Sequence, residues 1–87
     1  MDTTIKNGWF GNDDFFKTFY VNGKRHREDG PAVVCGSGAR HWFLNDKKVT
    51  WQEVYRNAKT AEQQVSILIH ASADPSNLDD IIALTTP

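Results

Sequence analysis

The six residues Phe19-Tyr20-Val21-Asn22-Gly23-Lys24 return 23 positions later as Trp42-Phe43-Leu44-Asn45-Asp46-Lys47. Both copies read aromatic, aromatic, aliphatic, Asn, then Gly or Asp, then Lys. Asn-Gly after a run of strand formers marks a tight hairpin, because both residues tolerate positive φ. A period in the twenties describes stacked hairpins, none of which buries its apolar face alone. The second copy breaks off after Lys48: where the first reads His26-Arg27, the second reads Val49-Thr50 and turns toward a helix. That change suits a terminal cap closing a sheet edge. Trp9-Phe10-Gly11-Asn12 is a candidate for a decayed earlier copy, although it lies 33 positions before the last one.

The rest of the first half agrees with a meander of short antiparallel strands. Residues 1–8 read as a loose start. Gly11-Asn12-Asp13-Asp14 makes a turn between two short strands, and Phe15 to Val21 is rich in strand formers. Asp29-Gly30-Pro31 and Gly36-Ser37-Gly38 are further turns, flanking the short apolar strand Ala32 to Cys35. Ala39 to Leu44 forms the next strand, and Asn45-Asp46 turns it back.

The period changes at Val49. Thr50-Trp51-Gln52-Glu53 fits a capping box, and Trp51, Val54, Tyr55 and Ala58 then fall on one helical stripe. Thr60 to Gln63 suits the cap of a second helix running to about Ala71. Val65, Ile67 and Ile69 also alternate as a strand does, so residues 64–70 fit either period. As a helix, this segment sets Ile67 almost opposite Val65, and Ile67 then needs another surface, such as a second copy of the chain. Asp74-Pro75 opens a third short helix, with Leu78, Ile81 and Ile82 as its apolar face. The expected fold is α+β: one domain over residues 1–87, with a small antiparallel sheet of tandem hairpins (1–48) followed by two or three short helices (49–87).

At 87 residues the core is thin. All the aromatic residues except Trp51 and Tyr55 precede residue 44, which predicts an aromatic core for the first half and an aliphatic one for the second. Between Lys17 and Lys48 seven Lys/Arg face three acids, and from Lys59 onward one base faces four acids. Such asymmetry steers an anionic partner toward one end of a molecule. The single cysteine, Cys35, permits no internal disulfide and suits a reducing compartment. No secretory apolar segment follows Met1, and no apolar run approaches the ~20 residues of a membrane span.

The string Asn22-Gly23-Lys24-Arg25-His26-Arg27-Glu28-Asp29-Gly30-Pro31-Ala32 resembles the NGKxHRxDGPA repeat of small proteins from tailed phages and prophages. That family alternates the motif with a DGSxxWYxNG hairpin, as in Gly36 to Asp46. It often ends in a short helix opened by a VTxxEY-like sequence, to which Val49-Thr50-Trp51-Gln52-Glu53-Val54-Tyr55 is close. The match covers roughly residues 17–58. It implies a small β-hairpin sheet, loosely similar to MORN repeats, in a phage protein working in the host cell cytoplasm. It implies no activity, and residues 59–87 fall outside it.

Two polar groups carry candidate binding chemistry. Lys24, Arg25, His26 and Arg27 together can grip a phosphate or carboxylate, or they can serve the turn network around Asp29. Arg40 and Trp42 share one face of a strand, with His41 on the other; an Arg beside a Trp can sandwich a base or meet an acidic partner, or the Trp can simply be core. Lys47 extends the basic surface. His26, His41, His70 and Cys35 lack metal-ligand spacing, and Cys35 with His41 or His26 has no nucleophile signature around it. Gly36-Ser37-Gly38 joins two strands and is no phosphate loop. The expectation is therefore a non-enzymatic binding protein without cofactor or metal. The leading role is an inhibitor of a host antiviral defence protein, anti-CRISPR-like, acting by surface occlusion. The alternatives are a sponge for a nucleotide second messenger, its site between two copies of a homo-oligomer, or a structural repeat module.

Overall fold

The computed structural model describes residues 5–12 and 14–85. Met1 to Thr4 and Asp13, within the expected loose start and first turn, lie outside the described residues. Six strands form one antiparallel sheet: β1 (Gly8–Gly11), β2 (Phe16–Val21), β3 (Lys24–Arg25), β4 (Val33–Cys35), β5 (Arg40–Leu44) and β6 (Lys47–Val49). The order across the sheet is β1-β2-β4-β5-β6, and β3 pairs with the far end of β2 beside β4. Three helices follow: α1 (Trp51–Arg56), α2 (Ala61–Ser72) and α3 (Leu78–Thr85), the last entered through a 3-10 turn at Pro75–Asn77. Among the described residues, no helix is long and apolar enough to cross a membrane.

The two repeat copies adopt one backbone. β2 and β3 meet at Val21↔Lys24, and β5 and β6 at Leu44↔Lys47, each with a two-residue loop. Both loop residues are left-handed in each: Asn22 at φ 51° and Gly23 at 79°, Asn45 at 51° and Asp46 at 70°. This is the primed turn whose twist matches the flanking strands. Asp46 bears a backbone cost that Gly23 does not, and its carboxylate is fastened in return. Its Oδ1 accepts from Arg25 Nε at 2.6 Å and from the Arg25 backbone N–H at 3.3 Å.

Each turn docks on an earlier dipeptide in the same way. The Asn22 N–H donates to Asn7 Oδ1 (2.9 Å) and the Gly23 N–H to the Lys6 carbonyl (2.9 Å). The Asn45 N–H donates to His26 Nδ1 (2.9 Å) and the Asp46 N–H to the Arg25 carbonyl (2.8 Å). Lys6-Asn7 therefore does for the first hairpin what Arg25-His26 does for the second. The trace of an earlier unit is this dipeptide; Trp9 to Asn12 instead belong to an ordinary edge strand, with Trp9 opposite Phe19, and the turn after it.

The core is smaller and less aromatic than the composition suggests. Its buried cluster is Trp42, Trp51, Val54, Ile67 and Ala71, between the second hairpin and α1–α2. Trp9, Phe10, Phe15 and Phe16 are 41–73% exposed: the helices roof one face of the sheet at its β5–β6 end, which leaves Trp9 uncovered, and Phe10 and Phe16 lie on the other face. The 64–70 segment is helical. Thr60 Oγ1 accepts from the Gln63 N–H, and Gln63 Oε1 reaches back to the Lys59 N–H at 2.7 Å. Ile67, expected to need a second copy, is fully buried in the chain's own core one turn before Ala71. The outward positions are Val65 and Ile69, 56% and 64% exposed. The orientation follows from the 3.6-residue period: 67 and 71 share a stripe, and 65 and 69 share another. α1 is capped by Thr50 as expected, but it ends at Arg56; Ala58 packs on the core from beyond the helix. Among the described residues of α3, Ile81 packs against the core, while Leu78 and Ile82 are 42% and 59% exposed; the helix meets α2, the 3-10 turn and, through Asp80, Gln52 of α1.

Candidate binding surfaces

Strand alternation and register divide the sheet into two chemically distinct faces. Lys17 pairs with Val34, Val34 with Arg40, and Trp9 with Phe19, so these side chains share the helix-bearing face with Trp42. Phe10 pairs with Thr18, Thr18 with Val33, Val33 with His41, and Phe43 with Lys48. Those residues, with Phe16 and Tyr20, occupy the opposite face.

The basic residues singled out by the sequence do not meet in one patch. Lys24 and Lys47 are exposed beside the two turns. Arg25 lies on the outer face, paired with Asp46, its guanidinium 4.4 Å from the Phe43 ring centroid. His26 is a turn clamp: Nδ1 accepts from Asn45, which leaves Nε2–H to donate to Glu28 Oε2 at 3.1 Å. That bond, and secondly Lys59 at 3.3 Å against the opposing effect of burial, holds the Glu28 carboxyl below its ordinary range. Arg27 folds into its own loop, with Nε on Asp29 (2.9 Å) and Nη1 on the Pro31 carbonyl (3.1 Å). Ser66 of α2 donates to the Asp29 carbonyl at 2.7 Å, so the Asp-Gly-Pro turn is also the seat of the helix. A Cβ on Gly30 would lie 2.7 Å from Arg27 Cζ and 2.9 Å from His70 Cδ2. Arg40 is half-buried on the inner face, and Trp42 is 7% exposed in the core.

Each face carries a depression. The outer one, about 390 Å³, is lined by Phe16, Thr18, Tyr20, Arg25, Phe43 and Lys48, among others. Phe10 and Tyr20 meet edge to face at 5.7 Å, with Lys6 Nζ 5.5 Å and 5.0 Å from their centroids. The inner one, about 280 Å³, is lined by Trp9, Lys17, Arg27, Val34, Arg40 and His70. Lys17 Nζ and Arg27 Cζ stand 5.0 Å and 5.1 Å from the Trp9 ring. Burial, followed by the Arg27 and Arg40 charges, holds the His70 imidazole below its ordinary value. An adjoining depression of about 340 Å³ shares Arg40 and His70 and extends to Trp42, Asp74 and Asn77.

Sequence reasoning missed the outer aromatics, although Phe16, Thr18 and Tyr20 alternate with period two. It also missed Trp9, Lys17 and His70, which come together only through strand pairing and the docking of α2. No family model matches the chain, and no solved structure matches it. A 39-residue stretch is 36% identical to part of a vacuolar protein sorting/targeting protein 10 from Blastomyces gilchristii (strain SLH14081). The match covers 45% of this chain and 3% of that protein.

Proposed function

We propose that this chain is a non-enzymatic binding module that uses its outer sheet face to cover an acidic surface on a partner protein. In the setting implied by the phage repeat motif, it acts in the host cell cytoplasm on an antiviral defence protein. The observation that carries the reading is the aromatic outer face, which none of the helices covers. Phe16 is 56% and Phe10 41% exposed there, beside Lys6 and Lys48. Aromatic side chains bordered by cations are the usual material of interface hot spots, and an apolar patch left in water marks an interaction site. Three of the rings already carry a cation: Phe43 lies under Arg25, and Phe10 and Tyr20 under Lys6. That favours a protein surface over stacked bases, which need free faces.

The test pairs Phe16→Asp with Lys48→Glu. The double variant keeps the fold, since both side chains are exposed. In phage-infected host cells it loses both the co-purifying partner and any protection of the phage from host defence, while the wild-type chain shows both. Undiminished partner capture by the variant overturns the reading. So does tight binding of single-stranded oligonucleotide to the wild-type face with no protein partner.

A further inference from the structure

We propose that the depression between the start of β5 and the end of α2 is a binding site for a small zwitterion, a molecule with one carboxylate and one ammonium group such as a free amino acid or a dipeptide. It measures about 340 Å³, and two distant parts of the chain bring its two formal charges to it: Arg40 opens β5, and Asp74 follows α2. His70 also lines it, but burial, followed by the Arg27 and Arg40 charges, disfavours its proton, so the imidazole is a neutral wall at neutral pH. The other side chains around it, Trp42 and Asn77 among them, are uncharged.

Each charge is fastened at one end and open at the other. Arg40 Nη1 donates to the Gly38 carbonyl at 3.1 Å, and among the described residues no hydrogen bond engages its Nε or Nη2. Asp74 Oδ1 caps the 3-10 turn, accepting from the Ser76 N–H (3.0 Å) and hydroxyl (2.8 Å), and Oδ2 meets no donor among the described residues. The ion pairs of the described residues include neither Arg40 nor Asp74. The two still feel each other: after the two Ser76 bonds, and against burial, the Arg40 charge helps to hold the Asp74 carboxyl below its ordinary range. Opposite charges held apart across a depression, each by a bond to its own loop, are complementary to a ligand that carries the reverse pair.

The chemistry sets the orientation of the ligand. The open edge of the Arg40 guanidinium suits a carboxylate, which it can meet with two parallel N–H donors. Asp74 Oδ2 accepts from the ammonium group. Asp74 follows directly on the last turn of α2, to which its N–H donates at the Ala71 carbonyl (3.2 Å), and the negative end of a helix favours a cation there. Asn77 Nδ2 donates to the same carbonyl at 3.0 Å and braces this wall. Ala39, Ala73 and Pro75 add small apolar surfaces, which suit a short side chain. At about 340 Å³ the space takes one or two amino-acid residues, near the lower end of ligand sites.

The experiment follows the Trp42 indole N–H and the Ala71 and Asn77 amides by NMR during titration with L-alanine and with alanylalanine. Both zwitterions shift these signals in the wild type, and the tighter of the two tells a free amino acid from a dipeptide as the ligand. Alaninamide, which lacks the carboxylate, and N-acetylalanine, which lacks the ammonium group, bind about tenfold more weakly, the loss of one charge-assisted contact. Arg40→Gln weakens alanine binding by a similar factor and abolishes the advantage of alanine over alaninamide. Asp74→Asn keeps a capping side chain, abolishes the advantage over N-acetylalanine, and provides a second test should Arg40→Gln fail to fold. The outer-face variant of Phe16 and Lys48 binds alanine as the wild type does, which separates this site from the partner surface. Signals unmoved by both zwitterions, or a wild-type affinity for either singly charged analogue equal to that for alanine, overturn the proposal.

Discussion

The two copies of the repeat share a backbone but not an environment. Phe19, Tyr20 and Val21 correspond to Trp42, Phe43 and Leu44. Val21 is 36% exposed and its two neighbours are half-buried, whereas Trp42 and Phe43 are 7% and 8% exposed. The hairpins close with the same left-handed pair and donate the same two N–H groups to a preceding dipeptide. What differs on the inner face is the roof: α1 contacts β5, and the buried cluster around Trp42 includes side chains of α1 and α2, while Phe43 on the opposite face lies under the Arg25 guanidinium. Local sequence thus fixes the hairpin, and the helices decide which hairpin becomes core. The unroofed copy keeps its aromatic side chains only half-buried.

The sharpest way to break this comparison is truncation at corresponding positions. Trp42→Ala removes the centre of the core and costs about 3–5 kcal/mol. Phe19→Ala, at the matching position, costs clearly less, because its ring is only half-buried. Urea unfolding of the two variants measures the difference. Equal losses would mean that the roof does not distinguish the copies.

The next effect tests the loop between the hairpins. Gly30→Ala forces a methyl toward the Arg27 guanidinium and the His70 ring, which sit at 2.7 and 2.9 Å from the new atom. Overpacking of this kind costs about 1–3 kcal/mol. It is expected to loosen α2 first, seen as faster amide exchange around Ser66 and His70 than in β1 and β2.

A smaller effect sharpens the likeness of the two turn clamps. His26→Ala strands the Asn45 N–H and frees Glu28, for about 1–2 kcal/mol. Asn7→Ala removes the matching acceptor alone and costs less, since no second bond like that of His26 to Glu28 is lost with it. His26→Asn, which copies the first clamp into the second, recovers part of the loss in a thermal melt. No recovery would show that the two clamps are not interchangeable.

The smallest effect is the pH dependence. His70 is held below its ordinary value of 6.5, by burial first and then by Arg27 and Arg40. The unfolded chain therefore binds the proton first as pH falls. The His70 contribution is full above pH 6.5 and is lost as pH drops toward the folded value. Glu28, held below 4.5 chiefly by the His26 hydrogen bond, contributes above that value and gives a second loss at lower pH. Melting temperatures in a series of buffers show both limbs in the wild type. His70→Gln removes the upper limb and leaves the lower one.

Much of the fold was legible residue by residue. Asn22-Gly23 and Asn45-Asp46 named the two hairpins, Thr50 and Thr60 named the helix starts, and Pro75 the entry to the last helix. The candidate sites were less legible. The run from Lys24 to Arg27 reads as one basic patch, but its members differ: an exposed lysine, an arginine locked to Asp46, a turn clamp at His26 and a loop brace at Arg27. Neighbours in a strand or turn point in different directions, so adjacency along the chain does not make a surface.

The chain's own order of residues determined the turns, the caps, the repeat and the α+β class, because each depends on φ preferences and side-chain periods within a few residues. Tertiary structure alone decided that Ile67 faces inward while Val65 and Ile69 face out, that the aromatic face around Phe16 stays bare, and that Trp9, Lys17, Arg40 and His70 surround one cleft. Those outcomes depend on which side of the sheet α2 covers and how far it reaches. That is a matter of packing between segments tens of residues apart, which no local pattern encodes.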